Sequence, residues 1–149
     1  MMLMVYLWEI VRDWFWVFPL MVSSVCLYKT VSAFLNLKSR RRWRIMLLLL
    51  LGGTTGMVIW VGDNNLLFTL PVFFAVFLAC SRGNLAGRIA VTAIFFCLIM
   101  PVNALLDTYI GELFQAASDT SYKFLYEALV RLLRPVVWGT LYFLGRKLF

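Results

Sequence analysis

Four residues near the end of the chain recur at intervals of four, three and four: Glu127, Arg131, Arg134 and Trp138. On a helix that spacing sets all four on one face. Glu127 and Arg131 make an i,i+4 pair in the favourable order, acid before base. The chemistry open to such a stripe is recognition of an anionic or carbonyl-rich group, because a guanidinium presents a planar fork of donors. A second i,i+4 pair, Asn103 and Asp107, precedes it. Asn103 suits a hydrogen bond to a neighbouring helix, and Asp107 suits a helix end. These five ionisable or amide residues are the candidates for ligand contact or signal relay.

Catalytic sets are nearly empty. The chain has no histidine, so the commonest general base and the usual zinc and haem ligands are missing. Cys26, Cys80 and Cys97 all fall in apolar runs, without metal-site spacing or a catalytic partner, and read as small buried hydrophobes. No glycine-rich phosphate loop is present. Paired aspartates at membrane depth would serve intramembrane proteolysis, but Asp63 and Asp107 both fall in turns. The expectation is a non-enzymatic chain with no cofactor and no metal.

The elements that position these residues follow from composition. Of 149 residues, 63% are hydrophobic and 14% charged, against about 45–50% and about 25% in soluble domains. A water-soluble core in so short a chain cannot hide that much apolar surface. The class is an all-α polytopic membrane protein in one domain, residues 1–149. Helices are expected throughout and strands nowhere, because a helix satisfies its backbone within one segment in lipid.

The topology turns on Leu37–Arg44, which holds five of the fourteen basic residues and abuts an uncharged run from Ile45 to Trp60. Basic clusters beside short loops stay in the cytoplasm. The apolar runs on both sides place this cluster at a bilayer surface and argue against a nucleic-acid site, and the formal charge of +7 suits anionic lipid. Five spans are expected, roughly 15–35, 45–61, 66–80, 89–106 and 122–144. Met1–Asp13 is an interfacial helix or the outer end of the first span, too short to cross alone. Val61–Asn65 reads as a polar turn, and Ser81–Arg88 as the second basic loop. The basic loops and Arg146–Lys147 then share one side, and Asp63 and the acidic 107–119 segment the other. The N-terminus is outside and the C-terminus inside a bacterial plasma membrane. Gly52 and Gly56 suit close helix packing within the chain more than homodimerisation.

For the arginine stripe two readings stand. An arginine at the bilayer centre costs about 2.5–3.5 kcal/mol on insertion scales, so ionisable residues there usually face protein or a wet cavity. The stripe is then a ligand or relay surface. Alternatively its helix lies at the outer interface and the arginines snorkel to phosphates.

Two stretches, Ile59–Phe68 and Ile94–Asp107, resemble the membrane region of sensor histidine kinases with a GHKL-type ATPase domain. They are similar to the peptide-sensing receptors of Gram-positive quorum systems. The resemblance implies the input region of a two-component receptor. Such a region detects an extracellular or membrane-borne cue, such as a peptide or small molecule, and relays it to a cytoplasmic kinase encoded beyond Phe149. A different class, the small-molecule-binding membrane subunit of a transporter, fits the same size and hydrophobicity.

Overall fold

A computed structural model describes residues 2–56, 64–109 and 123–148, and among these the apolar runs fold into five helices. The helices are α1 (Met2–Phe34), α2 (Arg41–Thr55), α3 (Asn64–Cys80), α4 (Leu85–Ala104) and α5 (Lys123–Leu148). A wider π-type turn, Leu105–Tyr109, prolongs α4. Among the described residues three segments are long and apolar enough to cross a membrane: Val17–Phe34, Leu85–Ala104 and Ala128–Lys147. Helix α3 is apolar but shorter.

The boundaries differ from the sequence expectation in several places. Helix α1 runs unbroken from Met2 to Phe34, so Met2–Asp13 is continuous with the first apolar run. Pro19 therefore lies inside the helix, not near its start, where the Ser23 hydroxyl donates to its carbonyl at 2.7 Å. Asn64 and Asn65, assigned to a polar turn, open α3 and lengthen it to 17 residues. Val61–Asp63 and the acidic segment 110–119 lie outside the described residues. The second basic loop is half helical. Asn84 caps α4 by accepting from the Ala86 amide at 3.3 Å, so Leu85–Arg88 become its first turn.

A strand pair also forms where none was expected. Residues Asn36–Leu37 (β1) pair antiparallel with Ser81–Arg82 (β2), in the register Asn36 to Arg82 and Leu37 to Ser81. The Lys38 amide adds a bond to the Cys80 carbonyl at 2.8 Å. Two short connections lying side by side expose main-chain groups that need partners, and here each supplies the other. Gly83, at φ 116°, turns the chain from β2 towards α4, in a region that side chains avoid.

The core is a layer of apolar side chains from every helix. Leu27 and Val31 of α1, with Leu35 just past its end, meet Leu47 and Leu51 of α2, Phe73 and Phe77 of α3, Phe95, Phe96 and Ile99 of α4, and Trp138 of α5. Phe73 stacks on Phe77 at 4.7 Å and takes Phe96 edge-on at 5.3 Å, spacings that favour aromatic pairs. Helix α1 packs most extensively on α5 and then on α2. Ser24 ties α1 to α2 through a 2.5 Å bond to the Leu48 carbonyl. Gly52 and Gly56 face α1: a methyl group on either would meet Ser24 at 3.6 Å or Leu20 at 3.5 Å. The outward surface is apolar as well, with Leu67 72% and Phe68 75% exposed beside Leu49, Ile94 and Phe143. That surface suits hydrocarbon and would be an aggregation liability in water.

The charges segregate. The strand pair brings the two basic loops together. A cleft shared by Lys29–Phe34 and Tyr142–Arg146 puts the end of α5 at the same pole. Ten of the fourteen basic residues collect there: Lys29, Lys38, Arg40, Arg41, Arg42, Arg44, Arg82, Arg88, Arg146 and Lys147.

Candidate functional site

Helix α2 has fifteen residues, so it is about 22 Å long, short of a hydrocarbon layer of about 30 Å. Its last residues, Thr54 and Thr55, are buried. A helix end leaves its last carbonyls without partners in the helix and carries a partial negative charge. A buried carbonyl left without a partner costs about 1–3 kcal/mol, so the buried end of α2 needs partners from the protein.

Two of the sequence candidates close it. Asn103 of α4 donates through Nδ2 to the Thr54 carbonyl at 2.6 Å. Arg134 of α5 donates through Nη1 to the Thr55 carbonyl. The threonine hydroxyls turn back on their own helix, Thr54 to the Leu50 carbonyl at 2.9 Å and Thr55 to the Gly52 carbonyl at 2.9 Å. Gly56 completes the cap with a 3.1 Å bond to the Gly53 carbonyl. All four residues are buried, and Arg134, at 5% exposure, is the one buried cation among the described residues. Its charge lies at the negative end of α2, the favourable sense for a cation at a helix C-terminus.

The buried face of α5 is the line Val130, Arg134, Trp138, one residue per turn. This divides the expected stripe. Arg134 and Trp138 belong to the buried line, whereas Arg131 is half-buried beside it. Arg131 has interactions of its own. The side chains of Asp107 and Glu127 lie outside the described residues. Trp138 is 1% exposed, and its indole Nε1–H has no hydrogen-bond partner.

The same solution recurs at the opposite pole. Lys38 Nζ donates to the Ala79 carbonyl at 2.5 Å, and the Arg88 guanidinium donates to the Leu78 carbonyl and to Ser81 Oγ at 3.0 Å. Both cations thus close the C-terminus of α3. Lys38 also lies 4.6 Å over the Trp43 ring, with Arg42 at 5.5 Å, within cation–π range. Among the described residues no cluster of His, Cys, Asp and Glu could hold a metal.

From sequence, Asn103 and Arg134 stand out because they are polar in apolar helices. Thr54 and Thr55 do not, since it is their main-chain carbonyls that act. Their signal is the Gly-Gly-Thr-Thr-Gly run, which weakens a helix and marks where it stops. Comparison with known protein families, with curated proteins and with solved structures finds no match.

Proposed function

We propose that the chain is the membrane-embedded input region of a receptor histidine kinase, sensing an extracellular or membrane-borne cue and relaying it to a cytoplasmic kinase. In this reading it crosses a bacterial plasma membrane five times, N-terminus outside and C-terminus inside. The basic pole is the cytoplasmic one. Arg41, Arg42 and Arg44 lie in the first turns of α2, at the positive end of its dipole. That placement opposes helix stability by about 0.3–1 kcal/mol each. Orientation and attraction to anionic headgroups account for cations placed there.

The observation that carries the reading is the Arg134 bond to the Thr55 carbonyl, beside the Asn103 bond to Thr54. It joins α5, whose other end bears Arg146 and Lys147 at the basic pole, to the buried end of α2. Interhelical hydrogen bonds in membranes are worth about 0.6–2 kcal/mol. Allosteric coupling typically needs about 1–3 kcal/mol. A ligand whose carboxylate or carbonyl oxygens compete for Arg134 thus has enough leverage to shift α5 against α2. A fully apolar contact would offer a ligand no such exchange of partners.

The test fuses the chain to a kinase output domain and reads reporter activity. Arg134→Ala is expected to impair the response more than Arg131→Ala, with membrane insertion intact. Arg134→Lys is expected to restore part of it, because lysine keeps the charge and loses the fork. Full, equal output from all three variants leaves the Arg134 bond a structural cap of α2 and removes the reading.

A further inference from the structure

At the basic pole, α1 and α5 leave between them a cleft of about 420 Å³. Lys29 lines it from α1 and Arg146 from α5, with Tyr142 beside them. The hydroxyls of Thr30 and Ser32 also reach the cleft, but their protons are committed to the Cys26 and Lys29 carbonyls at 2.9 and 2.7 Å. The donors that can turn to a ligand are therefore an ammonium, a guanidinium and a phenol. Ala33 and Phe34 supply an apolar wall, and Phe34 is held edge-on against Phe95 at 6.2 Å.

No carboxylate side chain neutralises this pair from its own helices. Along α1 the nearest acid is Asp13, sixteen residues before Lys29, about 24 Å away. Along α5 it is Glu127, nineteen residues before Arg146, about 28 Å away. Helices α2, α3 and α4 contain no acid. Two cations facing one concave space repel unless an anion lies between them.

We propose that this cleft is a phosphate-anion site, occupied by the headgroup of an anionic phospholipid, with the phosphate between Lys29 and Arg146. The guanidinium fork matches two phosphate oxygens, and the lysine acts as a point charge. The apolar wall receives the glycerol end of the lipid. A basic pocket between helix ends at headgroup level is where anionic lipids are held. The site depends only on the helices entering a membrane, not on any kinase.

The test uses the full chain in detergent and native mass spectrometry after titration with phosphatidylglycerol, phosphatidylcholine or inorganic phosphate. Phosphatidylglycerol is expected to be retained and phosphatidylcholine not. The variant Lys29→Gln/Arg146→Gln should weaken retention about thirtyfold, from about one surface-cation contribution per residue. A charge-matched control, Arg40→Gln/Arg41→Gln, should change it little. Gly145→Leu keeps both cations and adds a side chain into the cleft; a Cβ there meets nothing within 4 Å, so the protein should fold and lose the lipid. Circular dichroism and elution volume confirm folding of each variant. If millimolar inorganic phosphate displaces the lipid and itself protects the wild type against unfolding, the site takes free phosphate as well. Equal loss in the site and control variants, or unchanged binding in Gly145→Leu, overturns the site and leaves a diffuse basic surface.

Discussion

Lys38 reaches across 41 residues of sequence to place its ammonium 2.5 Å from the Ala79 carbonyl, at the C-terminus of a helix it does not belong to. Arg134 does the same for α2. At both poles a cation from elsewhere closes a helix end that the local sequence leaves open.

Removing the cap at α3 should therefore destabilise the chain although both cations lie in or beside a loop. Lys38→Met and Arg88→Met are each expected to cost about 1.5 kcal/mol, the value of a hydrogen bond to a charged group. Arg40→Met, at an exposed position with no side-chain cap bond, should stay within about 0.5 kcal/mol. Unfolding in detergent, followed by circular dichroism, checks the contrast.

Asn103 is tested by its donor. Asn103→Leu removes the side-chain donor to the Thr54 carbonyl and should cost about 0.6–2 kcal/mol. Asn103→Asp should be worse, because an ionised carboxylate is acceptor-only and would face a carbonyl at the negative end of α2. The same melts, with Asn103→Asp run at several pH values, decide this. Destabilisation of Asn103→Asp should ease as pH falls and the carboxyl regains a proton to donate. Equal stability of Asn103→Leu and wild type would show that the Thr54 carbonyl needs no cap.

Trp138 separates packing from polarity. Trp138→Phe removes an indole N–H that lacks a partner and keeps most of the ring, so it should be neutral or stabilising. Trp138→Ala should cost about 3–5 kcal/mol through the cavity left in the core. The thermal midpoint of Trp138→Phe should lie at or above that of the wild type, and that of Trp138→Ala well below it.

Orientation is measurable directly. In a background without Cys26, Cys80 and Cys97, Ser39→Cys and Asn84→Cys should resist an impermeant thiol reagent in intact cells and react after lysis. Labelling of either from outside reverses the five-span orientation.

Much of this was legible in the sequence. Uncharged runs gave the helices, and the charge pattern gave a basic pole. Asn103 and Arg134 stood out because a polar group in an apolar helix is costly enough to need a reason. The pairing of these two with one helix end was not legible. Main-chain carbonyls leave no trace in residue identity, and α2 ends at Thr55, a place that hydropathy does not mark. Lys38 and Arg88 read as ordinary loop charges for the same reason. Arg131 was grouped with Arg134 because a four-three-four rhythm is broader than the buried line, which follows every fourth residue. The strand pair leaves no mark in either connection by itself, because its hydrogen bonds exist only when both lie side by side.

That strand pair has a mechanical result. By joining the α1–α2 connection to the α3–α4 connection through main-chain bonds, it makes the basic ends of four helices a stator. Among the described residues no main-chain hydrogen bond ties α5 to them; it is held by side-chain packing and by Arg134 about 18 Å up its axis from Arg146. A small rotation about that pivot is amplified along the lever arm to the basic end. The end of α5 that such a rotation would displace most is the one that bears Arg146 and Lys147.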